Sequence, residues 1–221
     1  SIDTKRFSLG MSGEFRNGFD WDIHFTSSED EGYISQPDTS TQRFTSAIKG
    51  QGGEAGDQTW NLFDSSANTS SLVDWISTKQ ETWTNNQLDV LDFVFSGDIK
   101  TNEFGNISMA AGLQLRKEEF SVTRDKDSRI EFDANGNISK SADLLFLGGG
   151  IEASSKRDAM AAFAEFSIPL GDKLLLKTAL RYEELEDDNP FDPKISLRYQ
   201  ISDTVVLRGS LSTSFREPSL S

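Results

Sequence analysis

The 221-residue sequence predicts an all-β protein: an antiparallel transmembrane β-barrel segment of about eight long strands, with short periplasmic turns and long extracellular loops. Three observations predict it. Apolar and polar residues alternate with period two over runs of about ten residues, longer than an average globular strand. The connections between those runs alternate strictly between short and long, as turns and loops do at the two ends of an outer-membrane barrel. Only 35% of residues are hydrophobic, below the share that a thick two-sided core uses.

The strands follow in order. Phe7, Leu9, Met11 and Phe15 oppose Ser8, Ser12, Glu14 and Arg16. After a turn containing Asn17-Gly18, good hairpin chemistry, Phe19, Trp21, Ile23 and Phe25 oppose Asp20, Asp22, His24 and Thr26. A long polar loop, 29–86, has one stretch, 71–79, suited to a short helix. In 87–100, Leu91, Phe93, Phe95 and Ile99 face outward, with Asp89 and Asp98 assigned to the other face. The turn at 101–105 leads to Ile107, Met109, Leu113 and Leu115 against Ser108, Gln114, Arg116 and Glu118. The second long loop, 123–157, contains a small hairpin about Asn135-Gly136. Strand 158–169 sets Ala162, Ala164, Phe166 and Ile168 against Phe163, Glu165 and Ser167. Strand 173–184 is the clearest, with Leu174, Leu176, Thr178, Leu180 and Tyr182 on one face and Leu175, Lys177, Ala179, Arg181 and Glu183 on the other. Ile195, Leu197, Tyr199 and Ile201 then oppose Lys194, Ser196, Arg198 and Gln200, and Val205, Leu207, Leu211 and Phe215 oppose Arg208, Ser210, Ser212 and Arg216.

Composition excludes several functions. With no cysteine, disulfide frameworks and thiolate metal sites are out. The single histidine, His24, cannot build a multi-histidine metal site, and a serine-histidine-aspartate triad would have to pass through it, so no enzyme activity is expected. A net charge of -14 has the wrong sign for a phosphate-backbone binder, so nucleic acid is not an expected partner. No segment nears the ~18 consecutive apolar residues of a membrane-spanning helix. A secreted β-sandwich binding or adhesion module also alternates, but its strands are usually shorter and its loops do not segregate by length.

Segment 161–220 resembles TonB-dependent outer-membrane receptors. The matching features are Ala164-Glu165 before Ile168-Pro169-Leu170, Ala179-Leu180-Arg181-Tyr182-Glu183, Pro193-Lys194, Leu207-Arg208-Gly209, and Phe215-Arg216-Glu217-Pro218-Ser219. Glu217 stands where the family more often has alanine. Segment 93–120 is similar to the same family's pattern of strand, short turn with a small apolar residue plus glycine, and a strand ending in Arg-x-Glu. The resemblance implies that residues 1–221 are part of a 22-stranded barrel with a plugged lumen. The plug domain and remaining strands are expected to lie outside this chain, and a complete eight-stranded barrel is the alternative. It also implies outer-membrane lipid, the receptor's own plug and the inner-membrane TonB complex as partners. The cargo would be a scarce solute of unknown identity: siderophore, cobalamin, glycan or peptide.

Two residue groups are candidate sites. Arg116, Glu118, Glu165, Lys177, Arg181, Arg198, Arg208 and Arg216 share the polar face, which in a barrel lines the lumen. There they either contact plug or solute, or pair across strands and serve the wall. Trp60, Phe63, Trp75 and Trp83, assigned to the first long loop, either stack on a ligand, pack the loop itself or sit at the membrane rim as an aromatic girdle. No cofactor is expected. The acidic runs Glu29, Asp30 and Glu31, and Glu183, Glu184, Glu186, Asp187 and Asp188, have the chemistry for loop-bound calcium but no diagnostic ligand spacing.

Overall fold

A computed structural model describes residues 1–185 and 188–216. Glu186 and Asp187 of the second acidic run, and Glu217, Pro218 and Ser219 of the last family motif, lie outside the described residues. Eight strands, β1 (Ile2–Glu14), β2 (Asp20–Thr39), β3 (Ser77–Asn102), β4 (Gly105–Arg124), β7 (Ala153–Gly171), β8 (Leu174–Glu184), β9 (Phe191–Gln200) and β10 (Val206–Ser212), form one sheet in which each pairs with its chain neighbour. A hairpin of β5 (Glu131–Phe132) and β6 (Ile138–Lys140) stands apart from it. The sheet runs from β1 to β10 without closing on itself among the described residues, and no second large sheet packs on it. That is neither a sandwich nor a closed eight-stranded barrel.

Local chemistry sets the turns. Gly18 takes φ +83°, and the Phe15 carbonyl accepts from Gly18 N at 2.9 Å while Phe15 N donates to the Phe19 carbonyl at 2.7 Å. At the β3–β4 turn the Asn102 Oδ1 accepts from Phe104 N at 2.8 Å, and Gly105 opens β4 at φ +134°. The register shifts between Pro169 and Gly171, where proline has no N–H to give the ladder.

Two compact units share these strands, one comprising residues 1–4, 30–86 and 120–155, the other 5–29, 87–119 and the chain from Lys156 on. The second contains the register that matters for the wall. Reading across β7, β8, β9 and β10, the apolar rows are Gly171–Leu174–Tyr199–Leu207, Ile168–Leu176–Leu197–Gly209, Phe166–Thr178–Ile195–Leu211, Ala164–Leu180–Pro193 and Ala162–Tyr182–Phe191. The side chains above and below alternate onto the opposite face, which carries the charged residues together with Leu175 and Phe163. Aromatic rings occupy the first and last rows. With Leu174 and Tyr182 eight residues apart on β8, a ~3.4 Å rise and ~40° tilt put these rows about 21 Å apart, matching the ~25 Å apolar band between aromatic girdles of a membrane barrel.

The first unit is larger in strand and smaller in loop than periodicity implied. β2 continues to Thr39 and β3 begins at Ser77, so the loop between them is 40–76 rather than 29–86, and β4 and β7 likewise leave 125–152 rather than 123–157. Polar residues on both faces hide such extensions from a hydrophobicity reading. β3 has 26 residues, where a tilted membrane crossing takes about ten.

Within 40–76 two helices form, α1 (Thr41–Ile48) and α2 (Ser70–Ile76). The second begins within one residue of the helical stretch expected at 71–79, which its last residues leave for β3. Ser40 caps α1 by accepting from Arg43 N at 3.1 Å, and Thr69 caps α2 by accepting from Leu72 N at 3.3 Å. Ala47, Leu72 and Ile76 form a small core, with Phe44, Trp60 and Trp75 packed around it. The hairpin about Asn135-Gly136 turns at Gly136, φ +81°, with the Asp133 carboxylate accepting from Asn135 N and Asn137 N at 2.8 and 2.9 Å.

One face assignment is corrected. Asp89 shares the period-two face of Leu91, not the opposite one: it lines the same concavity as Leu91, Leu115 and Met160, beside Lys117 and Asp158, and accepts from Gln87 Nε2 at 3.2 Å. Asp98 does face the other way, accepting from Asn106 and Ser108 at 2.5 and 2.6 Å.

Candidate functional site: the charged wall face and the aromatic loop

The polar face of β7–β10 is ordered by the same register. From the short turns upward its rows are Pro169–Leu175–Arg198–Arg208, Ser167–Lys177–Ser196–Ser210, Glu165–Ala179–Lys194–Ser212, and Phe163–Arg181–Asp192. Arg198 and Arg208 are therefore direct cross-strand partners, an arrangement that like charges disfavour.

Higher on the same unit the cations are compensated within the wall. Glu118 on β4 is ion-paired with Arg116, whose Nε lies at 2.7 Å, and accepts from Arg157 Nη2, on β7, at 2.5 Å, with all three side chains largely covered. Arg181 pairs with Glu183 on its own strand and donates to Gln114 Oε1 at 3.2 Å; Gln114 in turn donates to Asp92 at 2.8 Å. This chain of bonds crosses β3, β4 and β8 and fixes side chains that are otherwise long and mobile. Lower down, Arg198 donates to Gln200 Oε1 at 3.4 Å, while Lys177, Lys194 and Arg208 make no ion pair among the described residues. Glu165 lies in the row of Lys194, with Ala179 on the strand between them. Arg216 follows β10 and is exposed.

Of the eight wall residues singled out by alternation, the structure thus links Arg116 and Glu118 in one cluster and brings Lys177, Arg198 and Arg208 to one concavity. Arg157 and Lys194 belong with these groups and were missed as site residues. Their signal was parity: Arg157 is in phase with Phe163 and Glu165, and Lys194 with Arg198.

The four aromatic residues separate. Trp60 and Trp75 pack the loop core, Trp60 meeting Phe44 edge-on at 5.7 Å between centroids. Phe63 is fully exposed, on a turn where Asn61 Oδ1 accepts from Phe63 N and Asp64 N, each at 2.9 Å. Trp83 is not on the loop but on β3, beside Tyr33 at 5.3 Å, and the Tyr33 hydroxyl donates to Glu81 at 2.5 Å.

Carboxylates hold the long connections. Asp38, buried at the end of β2, accepts from Thr39 N, Phe146 N and Leu147 N at 2.6, 3.1 and 2.7 Å. Burial alone would raise its pKa, but the backbone N–H groups of Thr39, Leu147, Phe146 and Leu145 outweigh it and hold the carboxyl below the ordinary aspartate value. Asp143 accepts from the buried Ser40 hydroxyl at 2.5 Å and from Gln42 N at 2.8 Å. At Asp125, burial again opposes and the Ser128 hydroxyl with the Asp127, Glu81 and Ser128 N–H groups again prevails, lowering the pKa. These acids bind backbone, and no cluster of three or more acids or histidine suited to a metal occurs among the described residues. His24 has Ser8 and Thr26 hydroxyls at 3.4 Å from its ring nitrogens.

Comparison with known proteins agrees with this geometry. The family model described as TonB dependent receptor-like, beta-barrel matches residues 1–221. No curated protein matches the chain.

Proposed function

Because the chain belongs to the TonB-dependent receptor-like β-barrel family, we propose that it forms part of the wall of an outer-membrane active transporter, which binds a scarce solute outside the cell and admits it with TonB-supplied energy. The observation that carries this reading is the register of β7–β10, which sorts five apolar rows onto one face and the charged rows onto the other. A sheet with one lipid-compatible and one charged face suits a wall between bilayer and aqueous lumen. The open sheet leaves β1 and β10 for further strands, and the charged face suits a plug. No step of catalysis is assigned to these residues; their work is to hold the wall and present loops.

The test uses the full receptor in its own outer membrane. Its band should be heat-modifiable and several times larger than this chain, and solute uptake should vanish both when the receptor gene is deleted and when the energy-transducing protein is deleted. A heat-modifiable band of this chain's own size, or uptake indifferent to energy transduction, would refute the transport reading.

A further inference from the structure

We propose that Tyr33 and Trp83, with Asp3, Glu31, Asn85 and Ser121 around them, form a binding site for a neutral saccharide on β1–β4, near the ends of β2 and β3 that lead into loop 40–76. The inference stands apart from the transport reading, because the site has the opposite strand parity from the charged face. Thr82 and Arg124, bonded at 2.9 Å, take the parity of Asp92 and Gln114, whereas Trp83, Asn85 and Ser121 take the other.

Shape and chemistry point there together. The rings of Tyr33 and Trp83 lie 5.3 Å apart between centroids with 31° between their planes, so they make one slanted aromatic surface rather than the facing walls of a cation cage. Trp83 is exposed and Tyr33 half-buried, and the bond from the Tyr33 hydroxyl to Glu81 fixes that ring. Both rings border a concavity of about 380 Å³, within the ~300–1,000 Å³ of small-molecule sites. An aromatic face takes the apolar C–H side of a pyranose ring. Asp3, Glu31, Asn85 and Ser121 line the same concavity and offer carboxylate, amide and hydroxyl partners to sugar hydroxyls. No lysine or arginine lines it among the described residues, so a phosphorylated or uronic-acid sugar would meet two carboxylates and no cation.

Neither loop packing nor a membrane-rim girdle accounts for the pair. The loop core is built by Ala47, Leu72 and Ile76 with Phe44, Trp60 and Trp75, and Trp83 is not among them. A girdle ring borders the apolar band. On β2, however, the same-parity positions between Phe25 and Tyr33 are Ser27, Glu29 and Glu31, and on β3 those between Trp83 and Leu91 are Asn85, Gln87 and Asp89. Rings set off from the apolar run by polar positions on both strands meet water, and an aromatic surface kept in water is open to a solute with an apolar face.

Binding of the full receptor in lipid nanodiscs to immobilised oligosaccharides tests this. One arm presents free neutral, N-acetylated and uronic-acid oligosaccharides, a second presents the saccharide chain released from the outer membrane's own glycolipid, and choline is the cation probe. The expected result is binding of a neutral saccharide in one arm, which identifies the source, with weaker binding of the uronic-acid series. Trp83→Ala should lower the affinity at least about tenfold, corresponding to roughly 1.4 kcal/mol, and Asn85→Ala should lower it as well. Ile34→Ala, exposed on β2 at the opposite parity, should leave it unchanged. Should Trp83→Ala lose its heat-modifiable band, Trp83→Leu keeps apolar bulk without the flat face and reads the same loss. Binding of no saccharide, of the uronic-acid series alone, of choline without any saccharide, or of a saccharide whose affinity survives both Trp83 variants would overturn the assignment.

Discussion

An arginine placed in the apolar rows should be penalised according to its row. Ile195 lies in the central row with Phe166, Thr178 and Leu211, four residues along β8 from the aromatic row at Tyr182 and four from the row at Leu174. At about 2.6 Å of membrane depth per tilted residue, Ile195 is ~10 Å from either edge of the band and Leu174 is at the edge. Ile195→Arg should therefore cost about 2–4 kcal/mol, against ~0–1 for Leu174→Arg. At 1.4 kcal/mol per decade, the central variant shifts the folding equilibrium roughly 30- to 700-fold. Leu176→Arg, one row from the centre, falls between them. The assay is reversible urea unfolding of the full receptor in lipid vesicles, with heat-modifiability reporting barrel formation. Equal penalties for Ile195→Arg and Leu174→Arg, or wild-type behaviour of both, would refute the depth order and with it the assignment of this face to lipid.

Other predictions test the two units separately. Glu118→Gln removes the shared partner of Arg116 and Arg157 and should cost about 1–3 kcal/mol, read as a shift in urea midpoint; a double-mutant cycle with Arg157→Ala should show coupling, and strict additivity would place the pair outside the wall's energetics. The Asp38 carboxyl is held below its ordinary value of 3.8, so its clamp on 145–147 is complete above that value and is lost as pH falls through the lowered one. Protease cleavage within 141–152 should accordingly rise only in acid for the native receptor and at all pH values in Asp38→Ala; a variant as resistant as wild type at neutral pH contradicts the clamp. Trp60→Ala should loosen the α1–α2 core by about 2 kcal/mol, given partial burial, while Phe63→Ala, fully exposed, leaves that core's hydrogen-exchange protection unchanged.

Much of the wall was readable in advance because strand periodicity is a local rule. Leu174 to Tyr182 on β8 and Ile195 to Tyr199 on β9 fall on one face by counting alone, and the turn chemistry of Asn17-Gly18 and Asn135-Gly136 needs no partner to be recognised. The same counting places Asp89 with Leu91, an acid on an otherwise apolar face, where charge and parity point to opposite sides. Strand ends at Thr39 and Ser77 stayed hidden, since both faces there carry polar residues and hydrophobicity stops reporting the strand. Helix α1 also went unseen, although Ser40 at its start and Gly50, φ +79°, just past its end are cap residues.

The sequence by itself thus determined the strand alternation, the alternation of short and long connections, and the charge inventory of each face, because each depends on residues close together in the chain. Only the tertiary structure decided which charges meet. That Arg157 reaches Glu118, that Arg181 bonds to Gln114, and that Arg198 faces Arg208 are matters of register between strands tens of residues apart, or, for β9 and β10, of where a turn sets the pairing. A one-residue slip would move every one of these side chains to the lipid face, so the burial of the apolar rows fixes the register and the register then distributes the charges.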